Sequence, residues 1–340
     1  MIERQLAFCN SKYRYKDRGL IQMKKIAWGI IGLGNIANKF AQSLNALDEV
    51  ELKGVASRNK DKSEKFGSIY GLSPDKCYGS YEELVNDEEI EAIYIAVPNI
   101  FHKDISILCL KNNKSVLCEK PVTMNENEIK EVIDTAIEHK TFFMEAMKTR
   151  FLPVNRKVKQ WISEGRIGDV RLLQADFGFK AQFDPENRLF CKELGGGSLL
   201  DVGIYNISYS SYIFGTSPIS INSDKFIGKT GVDESASITL SYEDGKQALL
   251  YSAINVETIR TANILGTKGR ISIPKYSNAD TAYILINGIE EKIHLPFDIN
   301  GMEYQIREVV KCINEGKLQS EIMSWNDSIE IMKIMDKIRS

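Results

Sequence analysis

The feature that most constrains this 340-residue chain is a pair of glycines, Gly32-Leu-Gly34-Asn-Ile-Ala37, set between an apolar run and a helical pattern. Ile26–Ile31 is apolar without alternation, which predicts a short strand buried on both faces. From Asn35 onward, Ile36, Phe40, Leu44 and Leu47 recur at helical spacing and share one face. Strand, G-x-G-x-x-A turn and helix together make a dinucleotide cradle. Gly32 permits the tight turn, and Gly34 lets backbone N–H groups approach a pyrophosphate. Ala37 allows close helix–strand packing, and the helix N-terminus faces the negative charge. Gly32, Gly34, Asn35 and Ile36 are therefore candidate cofactor-binding residues.

Downstream, the spacing predicts a strand at Val50–Ala56, a short helix at Tyr81–Val85, and a strand over 92–97 stopped by Pro98-Asn99. Helix 103–112, strand 115–118, helix 125–139 and strand 141–145 continue the alternation. Such a series predicts a Rossmann-type, doubly wound parallel sheet with helices on both faces. After about residue 150 the pattern changes. A helix over 154–164 precedes long alternating segments at 170–179, 234–242, 247–256, 261–274 and 281–288, and helices at 302–315 and 325–339 close the chain. Strands without helices between them predict an α+β unit with a mostly antiparallel open sheet. The expected organisation is an extension at 1–22, a Rossmann domain at 23–147, and a substrate and oligomerisation domain at 148–340. Residues 1–22 are polar, mixed in charge and lack the apolar stretch of a signal peptide. They read either as a loosely ordered extension or as sequence preceding a true start at Met23.

The second strand ends in Ser57-Arg58, with no carboxylate to accept from a ribose 2′-hydroxyl. A guanidinium can instead bind a 2′-phosphate bidentately, with Lys60 and Lys62 adding to the field. NADP(H) is the expected cofactor, with NAD as the alternative. A net charge of −2 excludes the basic excess of a nucleic-acid binder, and no apolar run is long enough for a membrane span. Six cysteines without a C-x-x-C pair and three scattered histidines predict neither a disulfide framework nor a metal site. The expected location is the cytoplasm.

Ser115-Val-Leu-Cys-Glu119-Lys120-Pro121 ends a strand at the sheet's carboxyl edge, where the nicotinamide belongs. Burial there is expected to lower the pKa of Lys120, with Glu119 orienting or tuning it. The combination of Gly32–Ala37, Val97-Pro-Asn-Ile-Phe-His102, Cys118-Glu-Lys-Pro121 and Gly195-Gly-Gly-Ser-Leu-Leu-Asp-Val-Gly-Ile-Tyr205 resembles the glucose–fructose oxidoreductase/inositol dehydrogenase/rhizopine-catabolism (Gfo/Idh/MocA) family. Met144–Pro153, Phe183–Phe190 and Gly266–Pro274 resemble its dihydrodiol dehydrogenase and NADP-linked D-xylose dehydrogenase branch. The resemblance implies hydride transfer between nicotinamide and a hydroxyl or carbonyl of a sugar, polyol or dihydrodiol, and a homodimer or higher oligomer paired through the apolar face of the antiparallel sheet. It implies Lys120 and Tyr205 as the acid–base pair, with Lys120 lowering the tyrosine's pKa, and Asp201 as the orienting acid. Ser198 and Asp201 also have the spacing of a helix capping box. Pro98, Asn99, His102 and Glu119 are placed by the resemblance beside the cofactor.

Lys148 and Arg150 are the candidate specificity residues. Members of this branch often carry tryptophan where Lys148 stands, and a cation there suits a polyhydroxylated or anionic substrate better than an apolar diol. Two other readings share the resemblance: an NAD-dependent glycosidase, and a non-catalytic NADP-binding sensor.

Overall fold

The computed structural model describes residues 24–340, together with the backbone of an antiparallel pair formed by β1 (Tyr13–Tyr15) and β2 (Leu20–Gln22). Apart from those two strands, the expected extension lies outside the described residues.

The first layered unit runs β3 (Ile26–Ile31), α1 (Asn35–Asn45), β4 (Val50–Ala56), α2 (Lys60–Ile69), β5 (Cys77–Tyr78), α3 (Tyr81–Val85), β6 (Ala92–Ile95), α4 (His102–Lys111), β7 (Ser115–Glu119), α5 (Glu126–Glu138) and β8 (Phe143–Ala146). All six strands pair in parallel in the order β5-β4-β3-β6-β7-β8. The order reverses between β3 and β6, and a doubly wound sheet opens its ligand crevice at that switch point. Buried on both faces, the central strands are almost wholly apolar, and Phe40 of α1 stacks on Tyr94 of β6 beside Trp28.

The second unit begins with α6 (Pro153–Ser163), β9 (Val170–Gly178) and α7 (Ile204–Phe214). It continues through β10 (Ser220–Ile227), β11 (Asp233–Ser241), β12 (Gln247–Ala253), β13 (Thr261–Gly266), β14 (Gly269–Pro274), β15 (Thr281–Ile286) and β16 (Ile289–His294). Its eight strands lie in the order β10-β11-β12-β9-β13-β14-β15-β16, antiparallel except for the β12–β9 pair. The chain ends with α8 (Glu303–Asn314) and α9 (Trp325–Arg339).

The apolar face of this sheet does not point outward as expected. Leu173, Ile238, Leu250, Ile264 and Ile271 are fully or almost fully buried, while Gln174, Thr239, Leu249 and Asn263 alternate onto the open face. Period-two alternation with one helix-covered face makes the outer face mixed and mainly polar. The edge strands β10 and β16, which sequence periodicity missed, are exposed along most of their length, so they lack the apolar alternation that marks a strand.

The C-terminal helices return to the Rossmann layer. Trp325 Nε1 donates to the Phe143 carbonyl at 2.9 Å, and Arg307 pairs with Glu49 at 3.2 Å. No helix among the described residues is long and apolar enough to cross a membrane.

Candidate active site

The glycine turn is built for an anion. Gly32 has φ +88, and a Cβ there would sit 2.5 Å from the carbonyl oxygen of Ala96, just past the end of β6, so only glycine fits. At Gly34 a Cβ would meet open space. Gly34 starts α1 with no side-chain cap and no acid in the first turn, leaving the first N–H groups, those of Asn35 and Ile36 included, unclaimed by side chains. Ala37 is fully buried. This end of α1 therefore fits a dinucleotide pyrophosphate.

At the end of β4, Ser57 is half-buried and Arg58 exposed, its guanidinium 5.7 Å from the Phe101 ring centroid. Among the described residues no carboxylate is paired with Arg58, which leaves it free for a phosphate. Lys60 is held back from Arg58, its ammonium donating to the Pro74 and Cys77 carbonyls.

Lys120 extends from the end of β7, ahead of a cis bond to Pro121. Its Nζ donates to the Asp201 backbone carbonyl at 2.6 Å and lies 3.7 Å from the Asp201 carboxylate. It also stands 4.7 Å from the Tyr205 ring centroid. Asp201 belongs to a π-helical turn, Leu199–Gly203, that runs directly into α7 and carries Tyr205 behind it. The expected capping box is absent. Asp233 of β11 takes the capping role instead, accepting from Ser198 Oγ at 2.8 Å and Leu199 N at 2.7 Å. Asp201 is thereby left to pair with Lys120 and, at 3.0 Å, with Arg188.

The electrostatics reverse two expectations. Burial by itself pushes the Lys120 pKa down, but Tyr205, Asp201 and Glu119 together outweigh it and the net shift is upward. Burial raises the Tyr205 pKa, with Glu119 and Asp201 reinforcing it against the pull of Lys120. Burial also raises Glu119, whose carboxylate accepts from the Tyr94 hydroxyl at 2.5 Å and from the Lys120 backbone N–H at 3.3 Å. Asp201 stays below its usual range: burial opposes this, and the Lys120 and Arg188 cations overcome it.

His102 is 1% exposed and does not line an open pocket. Its ring nitrogens lie 2.7 Å from the Pro121 carbonyl and 2.9 Å from that of Val97, clamping together the loops after β6 and β7. Burial drives its pKa down to about 4, so the ring is neutral. Pro98 is exposed, and Asn99 donates to the Gly195 carbonyl at 3.2 Å, which seats the glycine-rich loop against the Rossmann edge.

Lys148 and Arg150 share the 3-10 turn after β8 but part ways. Lys148 Nζ reaches Asn278 Oδ1 at 2.6 Å, and burial lowers its pKa to about 8. Arg150 is 2% exposed and is not a substrate contact. It pairs with Asp327 at 2.8 Å and donates to Ser208, Ser211 and the Ile322 carbonyl. Every nitrogen of its guanidinium is committed inside the protein.

Sequence reasoning also missed contributors. Arg188 lies in a long segment between β9 and α7 with no periodicity to mark it; the signals there are the length of that loop and the resemblance carried by Phe183–Phe190, which assigns Arg188 no role. Glu145 is a lone acid in an apolar strand, itself a warning sign. It accepts from Val122 N at 3.1 Å and Ser328 Oγ at 2.8 Å, and burial raises its pKa to about 7.

Comparison with known proteins agrees with this geometry. The model of the GFO/IDH/MocA oxidoreductase family with NAD-binding Rossmann fold matches residues 26–147, and that of the GFO/IDH/MocA C-terminal domain matches 155–272. Trans-1,2-dihydrobenzene-1,2-diol dehydrogenase of Xenopus laevis is 38% identical over 321 residues, covering 91% of this chain and 96% of the relative. The human enzyme of that name is 31% identical over 325 residues, covering 92% and 96%. Among solved structures, aldose-aldose oxidoreductase from Caulobacter crescentus superposes with a TM-score of 0.86 at 22% identity, covering 93% of this chain and 97% of that one. A 3-ketoreductase from Actinomadura kijaniata in complex with NADP gives 0.80 at 22%, with the same coverage. The two structures speak to the fold. The family matches and the sequence relatives carry the identification: this chain belongs to the GFO/IDH/MocA family of oxidoreductases.

Proposed function

We propose that the protein transfers hydride between NADP(H) and a hydroxyl or carbonyl group of a small sugar, polyol or diol. The observation that carries this reading is the convergence of Lys120, Asp201 and Tyr205 at the carboxyl edge of the Rossmann sheet, one crossover from the glycine turn. Gly32, Gly34 and the first turn of α1 would hold the pyrophosphate, and Ser57 with Arg58 the 2′-phosphate. The nicotinamide, when bound, supplies or accepts the hydride. The relatives named as dihydrodiol dehydrogenases and the neighbours named as sugar oxidoreductases support a CH–OH substrate.

The residues' part is the proton. Both Lys120 and Tyr205 are pushed toward their protonated forms in the ligand-free protein. Tyr205 is thus placed as donor to a carbonyl oxygen in reduction, with the Lys120 ammonium stabilising the phenolate that results. Asp201 holds Lys120 in place, and Arg188 caps Asp201 from the loop above.

The test is reduced-nicotinamide absorbance with NADP⁺ and NAD⁺ in parallel against aldoses, polyols and dihydrodiols. Turnover with NADP⁺ that Arg58→Ala weakens through KM, by about tenfold or more, supports the reading. Cofactor binding with no turnover on any of them would refute it. The reading includes a homodimer formed through the open face of the second sheet, where Leu249 and Tyr251 lie uncovered by any helix. Light scattering that returned the mass of a single chain would end that part.

A further inference from the structure

We propose that the substrate carries a carboxylate held by Lys148, so that the protein acts on a polyhydroxylated acid in preference to an uncharged diol. This rests on the oxidoreductase reading above and narrows its substrate class.

Lys148 follows β8, which pairs with β7 through Glu119 and Ala146, so its side chain starts from the same sheet edge as Lys120. Its ammonium reaches across to Asn278, which precedes β15 in the second unit, at 2.6 Å. That neutral amide is its hydrogen-bond partner, and no carboxylate among the described residues lies within 4.0 Å of it. The charges that act on it come from Glu119 on β7, Lys39 on α1 and Glu303 on α8. Both acids favour its charged form, but from beyond ion-pair distance, and each is hydrogen-bonded elsewhere. Glu119 is bonded to Tyr94, and Glu303 accepts from the backbone N–H groups of Ile299, Asn300 and Gly301. Lys39 makes the field more positive.

A half-buried ammonium with no carboxylate in ion-pair contact is matched best by an anion. Two of its three N–H groups remain available, which suits the two oxygens of a carboxylate. Counting every charge that acts on this edge, four cations, Lys39, Lys120, Lys148 and Arg188, face three carboxyl groups, Asp201, Glu119 and Glu303. An uncharged diol would leave that excess uncompensated and would desolvate Lys148 further. A hydroxy acid supplies both the carbinol for hydride transfer and the missing charge.

The experiment compares an aldose with its uronic acid, and a polyol with its aldonic acid, on the full chain with saturating NADP⁺. The acids are expected to have the higher kcat/KM. K148M should raise KM for the acids by about ten- to a hundredfold, at least tenfold more than it raises KM for the neutral partners, and leave NADP⁺ affinity by fluorescence titration as it was. K148R, which keeps the charge, should retain the preference. In the wild type, KM for the acids should climb as pH rises past about 8 and Lys148 loses its proton; K148M should lack that step. Preference for neutral substrates that K148M leaves alone would overturn the proposal, as would a K148M defect confined to NADP⁺ binding. Calorimetric titration of the uronic acid into the NADP⁺-loaded protein separates the two readings. Lys148-dependent binding without turnover removes the oxidoreductase reading alone. Turnover of neutral polyols with no Lys148-dependent binding of the acid removes only the carboxylate.

Discussion

At the scale of single residues, the site is a set of proton affinities arranged by burial and neighbouring charge. Tyr205 sits above its ordinary pKa, so alcohol oxidation, which must deliver a proton to it, should accelerate with rising pH into the alkaline range. Carbonyl reduction should be flat through neutrality and fall once Tyr205 ionises. Tyr205→Phe should remove both dependences and lower kcat/KM by about 10²–10⁴-fold, as pH–rate profiles in the two directions would show. Glu145 makes a separate prediction. Its folded pKa, about 7, exceeds that of an unfolded glutamate, so the folded state binds the extra proton between those values. Stability therefore falls as pH rises from about 4.3 to about 7. Glu145→Gln should flatten that part of the curve, recovering on the order of 2–3 kcal/mol at pH 7.5 relative to pH 5 in urea unfolding. Lys120 is legible in sequence as a lysine at a strand's end. The sign of its shift is not, because Asp201 arrives from a segment about eighty residues later.

At the scale of elements, the 3-10 turn after β8 sends side chains two residues apart to different tasks. Lys148 reaches across to Asn278 of the second unit, and Arg150 ties that turn to α7 and α9 through Ser208, Ser211 and Asp327. Removing one member of a buried ion pair strands the other. Arg150→Met should accordingly cost about 3–5 kcal/mol of stability, while KM of the folded fraction stays within twofold or so. A change in substrate preference without loss of melting temperature would contradict this assignment. The π-helical turn that presents Asp201 shows the same dependence on distant partners. Its N-terminal groups are satisfied by Asp233 from β11, and local spacing alone suggests a capping box that does not form.

At the scale of the whole molecule, the Rossmann layer and the second sheet share one continuous apolar core running from Ile26 to Ile338. Polar links reinforce it: Glu145 to Ser328, Phe143 to Trp325, Asn99 to Gly195 and Ser43 to Asn300. Differential scanning calorimetry is therefore expected to record a single cooperative transition. Two resolved transitions, one keeping the Rossmann signal, would mean that the layers unfold independently.

The sequence by itself determines the alternating strands and helices of the first unit, the glycine turn, the lysine at the edge and the open sheet that follows. Each of these rests on periodicity or on local backbone geometry, which neighbouring residues encode. Only the tertiary structure decides which face of the second sheet is buried and that Arg150 faces inward. It also decides that His102 clamps two loops and that Lys120 and Tyr205 keep their protons. Those outcomes depend on desolvation and charge contributed by residues far apart in the chain, and such terms arise only where the fold brings them together.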